Sequence, residues 1–113
     1  MSKVSEYNKY LSYKNNELFL ENISLKNVTE KFSTPLYCYS ISQIIDNYKI
    51  LEKSFKKLTP LICYALKANF NSKIIKTLSR LGSGADVVSL GELTKSLANG
   101  IDKKKIVFSG VGK

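Results

Sequence analysis

LICYALKAN, residues 61–69, is a short apolar run that ends at a lysine. Residues 61–66 are all apolar and show no helical periodicity, and they lie between Pro60 and a polar segment that begins at Asn69. This pattern predicts a strand of a parallel sheet that is buried on both faces. Lys67 is the first charge at its C-terminal end, where parallel sheets and barrels carry their chemistry. Its amine is a candidate for imine formation with a carbonyl compound.

Two similar strand and helix units follow along the chain. Apolar residues at helical spacing predict a helix over 74–81, closed by Gly82, and another over 90–97 that ends at Gly100. Buried strands are predicted at 85–88 and 106–108. The strands start roughly 20 to 25 residues apart, which is the length of one βα unit. We therefore predict an α/β fold with parallel strands, the first part of a (β/α)8 TIM-type barrel with about three βα units present.

The N-terminal third has a different pattern. Residues 10–13 and 18–20 predict two strands of a β-hairpin, joined around Asn15 and Asn16. Such a hairpin is marginally stable alone and needs another sheet. Ser24 is a candidate cap for a short helix, and residues 36–39 predict a strand. Ser40 and Gln43 then have the spacing of a capping box, which opens a long helix with an apolar face extending to Leu58.

Composition and charge limit the classes of function. The net charge is +9, but the 17 lysines are spread along the chain and there is one arginine, so no nucleic-acid partner is predicted. No apolar run reaches the length of a signal peptide core or a membrane span, so we expect a cytoplasmic protein without a membrane partner. Cys38 and Cys63 are predicted to be buried, reduced thiols, and no metal site is predicted because the chain has no histidine.

Two charged residues are candidates for chemistry. Asp86 lies within an apolar strand, where an unpaired carboxylate is costly, so it should face a polar centre or form an ion pair. Lys67 on the neighbouring strand is the expected partner. Lys67 could instead simply extend from the sheet into solvent, since position in a fold is weak evidence of function. Ser89 and Glu92 are explained well as a helix cap and capping box.

Three segments together carry a resemblance to a known family. YALKAN at 64–69, LGSGADVVSLGEL at 81–93 and IVFSGVGK at 106–113 resemble the N-terminal part of diaminopimelate decarboxylases, and TPLYCYS at 34–40 agrees with them. That family belongs to the alanine-racemase-like, fold type III group of pyridoxal-phosphate enzymes. Leu90 departs from the glycine that is common at its position.

The resemblance assigns roles to individual residues. Lys67 matches the catalytic lysine that holds pyridoxal 5'-phosphate covalently. Ala65 and Asp86 match positions that line the cofactor pocket, and Ser89 falls in the family's signature segment at the end of the second strand. The remaining site residues of the family correspond to positions beyond residue 113. The family also has a β domain that corresponds to positions beyond residue 113. The N-terminal strands of the family join this domain.

The activity implied by the resemblance is decarboxylation of meso-2,6-diaminopimelate to L-lysine and carbon dioxide, carried out by a full-length homodimer on a small amino-acid substrate. Residues 1–33 would then belong with the absent β domain, and residues 34–113 would form an incomplete cofactor-binding barrel. The 113-residue chain alone is expected to be inactive. The alternatives are another fold type III decarboxylase, acting on ornithine, arginine or carboxynorspermidine, or a truncated, non-catalytic product that binds the cofactor.

Overall fold

A computed structural model of the protein describes residues 4–111. The chain divides into two compact units, Met1–Gln43 and Ile44–Lys113. The described elements of the first unit are helix α1 (Val4–Tyr7), strands β1 (Leu11–Lys14), β2 (Glu17–Leu20) and β3 (Ile23–Ser24), and helix α2 (Leu25–Phe32). Helix α3 (Ile41–Ser54) begins at the end of this unit.

The three strands of the first unit form an antiparallel sheet. Strand β2 is central, with Leu11 of β1 opposite Leu20 and Ile23 of β3 also opposite Leu20. Asn15 and Asn16, between β1 and β2, both have positive φ angles of 50° and 63°. Asparagine tolerates this left-handed conformation better than most residues, which suits a tight turn between paired strands.

Helix α2 begins where the sequence predicts it. The Ser24 hydroxyl accepts a hydrogen bond from the Asn27 backbone N–H at 3.4 Å, which satisfies one free N–H of the first turn. The segment 35–40 that follows α2 has no regular secondary structure. The predicted strand at 36–39 is therefore wrong, because an extended segment forms a strand only when another strand pairs with it, and none among residues 4–111 does.

The start of α3 is fixed by two side chains. The Ser40 hydroxyl accepts a hydrogen bond from the Gln43 N–H at 2.9 Å and donates one to the Glu21 carboxylate. That second bond is the main reason that the pKa of Glu21 is lowered. The bond from the Gln43 N–H to Ser40 is the serine half of the predicted capping box, which is therefore present. The Gln43 side chain accepts a hydrogen bond from the Asn8 amide at 3.4 Å. The helix ends at Ser54, and the predicted continuation to Leu58 is wrong, since residues 55–58 form turns.

The second unit is a parallel βαβαβ arrangement, as predicted. Its strands are β4 (Cys63–Ala65), β5 (Gly84–Val87) and β6 (Ile106–Phe108), hydrogen-bonded in the order β4-β5-β6. Helix α4 (Ser72–Arg80) joins β4 to β5, and α5 (Leu90–Ala98) joins β5 to β6. Short 3-10 turns occupy Leu66–Ala68 and Lys103–Lys105.

A hydrophobic core lies on one face of this parallel sheet. Its buried members come from the sheet, from the turn after β4, from α4 and from the segment before β6: Leu66, Ile75, Ala85, Val87 and Ile101. Tyr64, Leu93 and Ile106 are partly buried against them. Strand β4 is shorter than the predicted strand and only half-buried, because it pairs with β5 on one side and with no other strand of residues 4–111.

Helix boundaries in this unit follow local signals. The Asn71 side chain accepts a hydrogen bond from the Lys73 N–H at 2.9 Å and caps α4. Gly82 follows the end of α4 with φ 93°, a left-handed conformation that glycine adopts without a steric penalty. None of the helices within residues 4–111 is both long and apolar enough to cross a membrane.

Candidate active site

The three parallel strands present their carboxyl ends at one edge of the sheet. Lys67 follows β4, Ser89 follows β5, and Ser109 follows β6. Because the strands are parallel and in register, these residues leave the sheet on the same side. The candidate site is therefore this C-terminal edge together with the sheet face that adjoins it.

Lys67 is presented by a turn and not by the strand itself. Leu66, the residue before it, is fully buried in the core and fixes the beginning of the 3-10 turn. Lys67 is exposed. A fully buried apolar neighbour and an exposed amine place the reactive group at the edge of the sheet while the backbone beneath it is held by packing. The predicted position of Lys67 at the end of this strand is thus what the structure has.

Ala65 and Asp86 lie beside each other on adjacent strands. Ala65 of β4 is in register with Asp86 of β5, and Asp86 is in register with Val107 of β6. Ala85 and Val87, which flank Asp86, are both buried in the core on the helix side. Since successive side chains of a strand alternate between faces, Asp86 and Ala65 belong to the opposite face. The structure therefore brings these two predicted residues together.

The Asp86 carboxylate has a partner that the sequence analysis did not identify. Its Oδ1 accepts a hydrogen bond from the Ser109 hydroxyl at 2.5 Å. The expected ion pair between Asp86 and Lys67 is wrong, since no such pair within 4.0 Å occurs among residues 4–111. The physical reason is that Lys67 lies in the turn beyond the paired part of β4, whereas Ser109 directly follows β6 next to Asp86.

Cys63 lies on the same face of the sheet as Ala65, and the Asp86 carboxylate affects the pKa of its thiol. Burial raises the pKa of the Cys63 thiol, and the negative charge of Asp86 raises it further. The thiol is half-buried, whereas Cys38 is exposed. The prediction that both cysteines are buried is therefore wrong for Cys38, because the segment that contains it is not part of a sheet.

Ser89 is the N-cap of α5. Its hydroxyl accepts a hydrogen bond from the Glu92 N–H at 3.2 Å, and the Glu92 carboxylate accepts one from the Val88 N–H at 2.8 Å. The capping box predicted for this pair is present, with its second bond one residue earlier than usual. Ser89 is exposed at the same edge of the sheet as Lys67. Its role in holding a cofactor stays a prediction.

Tyr64 also contributes to this edge in a way that the sequence analysis missed. Its hydroxyl donates a hydrogen bond to the backbone carbonyl of Asn69 at 2.8 Å. From the sequence, Tyr64 is predicted only as an apolar member of the strand and of the core. A tyrosine next to a polar turn is the one signal that could have indicated the bond, because a partly buried tyrosine hydroxyl needs a hydrogen-bond partner.

The residues at this edge fit a carbonyl cofactor. An exposed primary amine can condense with an aldehyde, the methyl side chain of Ala65 leaves room over the sheet, and the fixed carboxylate of Asp86 supplies negative charge nearby. These features define an α/β protein whose parallel sheet presents a lysine amine at its C-terminal edge.

Comparison with known proteins narrows this class. Residues 41–113 match the family described as pyridoxal-dependent decarboxylase, pyridoxal binding domain. The diaminopimelate decarboxylase of Aquifex aeolicus is 48% identical over 113 residues, which are 100% of this chain and 26% of that protein. The crystal structure of diaminopimelate decarboxylase from M. jannaschii in co-complex with L-lysine has a TM-score of 0.84 and 38% identity, over 91% of this chain and 25% of that one.

A more distant likeness is the lysine decarboxylase of Selenomonas ruminantium. Its crystal structure has a TM-score of 0.72 and 26% identity, over 86% of this chain and 25% of that chain. The chain belongs to the pyridoxal-dependent decarboxylase family, whose pyridoxal-binding domain matches residues 41–113. It spans about a quarter of the length of the curated relatives that it matches.

Proposed function

We propose that these residues act, within a longer protein, as part of a pyridoxal-phosphate-dependent decarboxylase that converts meso-2,6-diaminopimelate to L-lysine and carbon dioxide. The observation that carries the proposal is the exposed Lys67 amine on a turn anchored by the buried Leu66, within the segment that matches a pyridoxal-binding domain. The high identity to diaminopimelate decarboxylases over the whole chain supports the choice of substrate.

Lys67 is the residue to which the cofactor would attach. As an exposed primary amine, its Nζ would hold the aldehyde group of the cofactor. Because Lys67 is exposed at the edge of the sheet, an amino-acid substrate would have access to the position at which this amine holds the cofactor. When bound, the cofactor supplies an electron-withdrawing ring that accepts the electron pair left when carbon dioxide departs.

Asp86, Ala65 and Ser89 would surround the cofactor. The Ser109 hydroxyl holds the Asp86 carboxylate in one orientation, so that its negative charge favours protonated nitrogen groups nearby. Ala65 leaves space on the same face of the sheet, in register with Asp86. Ser89 stands at the start of α5, where the backbone N–H groups and the helix dipole favour a negatively charged group.

We extend the proposal to the architecture of the longer protein. The parallel βαβαβ unit would be the first part of a (β/α)8 barrel in residues 34–113, and residues 1–33 would join a β domain formed elsewhere in the longer protein. The chain covers about a quarter of the length of its relatives, and this leaves room for the rest of a barrel and a second domain. A homodimer and a cytoplasmic location stay predictions.

The role of Lys67 is tested by trapping the cofactor in the full-length protein. Borohydride reduction followed by peptide mass spectrometry is expected to find the cofactor on Lys67, and Lys67→Ala is expected to lose both the label and carbon dioxide release. Lys57→Ala, which removes another exposed lysine, is the matched control and should retain both. Covalently held cofactor in Lys67→Ala would contradict the proposal.

The substrate is tested separately by measuring carbon dioxide release. We expect release from meso-diaminopimelate and much less from ornithine, arginine or lysine. A preference for lysine would favour the second candidate, a lysine decarboxylase, to which the chain has a weaker structural likeness. Cofactor attachment without release from any of them would favour a non-catalytic cofactor-binding protein.

A further inference from the structure

We propose that Tyr64 is a positioning residue for Lys67, acting through a hydrogen bond that closes the turn on which the lysine stands. This inference rests on the proposed function, because it concerns the amine to which the cofactor attaches. It assigns Tyr64 no contact with cofactor or substrate.

The turn that carries Lys67 needs support from outside itself. It is a 3-10 turn of three residues, Leu66–Ala68, and no side chain caps its beginning. Such short turns have poor internal hydrogen-bond geometry and are weak on their own. Leu66 anchors the first residue of the turn in the core, but Lys67 and Ala68 are both exposed. Packing therefore fixes one end of the turn and leaves the other end to polar contacts.

Tyr64 supplies the polar contact at that other end. Its ring packs against the buried core from the second position of β4, and its hydroxyl donates to the Asn69 carbonyl at 2.8 Å. The bond joins the residue three positions before Lys67 to the residue two positions after it. The chain around Lys67 is thereby closed into a loop that is tied to a rigid, partly buried ring.

Asn69 is itself held from the following helix. Its side-chain oxygen accepts a hydrogen bond from the Asn71 N–H at 3.0 Å, and Asn71 in turn caps α4. The carbonyl that Tyr64 contacts is thus located between β4 and α4. Both neighbours of the lysine turn are regular elements, so the backbone that carries Lys67 is held at both ends.

Tyr64 acts through the turn and not on the reacting groups. It packs with the helix-side cluster, whereas Ala65 and Asp86 belong to the opposite face of the sheet. Its hydroxyl is engaged with a backbone carbonyl on the segment after Lys67. Removing this hydroxyl should leave the core intact and loosen residues 66–69.

The test is Tyr64→Phe in the full-length protein, with Tyr37→Phe as the matched control because Tyr37 is 90% exposed. In cofactor-free protein, amide hydrogen exchange of residues 66–70 is expected to quicken by about 2- to 10-fold in Tyr64→Phe alone, as befits the loss of one hydrogen bond. The rate of cofactor attachment to Lys67 should fall by a similar factor, while the unfolding midpoint stays near that of the wild type.

A second variant tests the hydrogen bond between the Asn71 N–H and the Asn69 side chain. Asn69→Ala removes the side-chain acceptor for Asn71 but keeps the backbone carbonyl, so it should quicken exchange in the same peptide, and less so in a background that already carries Tyr64→Phe.

Four outcomes would overturn the inference. They are unchanged exchange at 66–70 in Tyr64→Phe, faster exchange with an unchanged attachment rate, faster exchange spread evenly over the chain with a lowered unfolding midpoint, and strictly additive effects of Tyr64→Phe and Asn69→Ala. If the wild-type protein attaches no cofactor, the proposed function fails, and the positioning role falls with it even where local exchange shows the bond.

Discussion

The two sheet units of this chain differ in whether they bury apolar side chains. In the antiparallel sheet unit, the buried residues among positions 4–43 are Ser24 and Ser40, which are polar, and Ile23 is 62% exposed. In the parallel sheet unit, Leu66 and Ile75 are fully buried among other apolar side chains. The difference comes from the helices α4 and α5, which cover one face of the parallel sheet.

The comparison explains where the chemistry lies. A side chain can be held to within fractions of an ångström only where the backbone below it is packed. Lys67 follows such a packed segment, whereas the antiparallel sheet keeps its apolar side chains half-exposed. The second unit therefore has the packed backbone that a site needs, and the described part of the first unit does not.

The largest expected effect is a pair of matched isoleucine substitutions. Ile75→Ala should lower the free energy of unfolding by about 2–5 kcal/mol, because it leaves a cavity in the core on α4. Ile23→Ala should cost less than about 0.5 kcal/mol, since this side chain is mostly exposed. Urea denaturation of the full-length protein measures both. Equal costs would show that another part of the protein covers the antiparallel sheet, which would break the comparison and support the proposed domain arrangement.

A smaller effect is expected from two glycines of the parallel sheet unit. A Cβ at Gly84 would overlap the backbone carbonyl of Lys105 and lie 2.7 Å from the Cys63 sulfur, so Gly84→Ala should destabilise by about 1–3 kcal/mol. Gly91 lies in α5, and a Cβ there would meet only the Ser89 hydroxyl at 3.9 Å. Gly91→Ala should stabilise by about 0.5–1 kcal/mol. Thermal unfolding of both variants checks this, and a neutral Gly84→Ala would mean that the strands can separate at little cost.

The smallest expected effect concerns the two cysteines. At pH 8, iodoacetamide should modify the exposed Cys38 about tenfold faster than Cys63, whose pKa is raised by burial and by Asp86. Mass spectrometry of the labelled peptides measures both rates, and Asp86→Asn should quicken labelling of Cys63. Equal labelling of the two thiols in native protein would contradict the burial assigned to Cys63.

The same pKa gives Cys63 a small dependence of stability on pH. Below the unfolded pKa of about 8.5, the thiol is protonated in both states and its contribution is complete. Above it, the unfolded state loses its proton first, so stability falls until the raised folded pKa is passed. Cys63→Ala should remove this part of the decline at alkaline pH, as measured by urea denaturation at several pH values.

Local signals predicted most of the second unit. Helical periodicity and caps placed α4 and α5, and apolar runs placed β5 and β6, within one or two residues of their observed bounds. These features depend on neighbours in the sequence. Lys67 and Asp86 were likewise found from their positions at or within predicted strands.

Features that depend on distant residues were not predicted. The segment 36–39 has strand-forming residues but no partner strand among those described. The predicted ion pair of Lys67 with Asp86 is wrong because a 3-10 turn moves the lysine beyond the paired region of β4. The alternation of residues along a strand does not reveal such a turn. The hydroxyl of Ser109 reaches Asp86 only because β6 is aligned beside β5, and this register is a property of the folded sheet.

The outer strands of the parallel sheet have a practical consequence. Within residues 4–111, β4 and β6 each bond to β5 alone, so each leaves a row of backbone donors and acceptors open on its outer side. Open rows of this kind recruit strands from other molecules, which leads to precipitates or fibrils. A recombinant sample of these 113 residues by themselves would be prone to aggregation. Purification should start from a longer version of the protein in which further strands pair with both edges of the sheet.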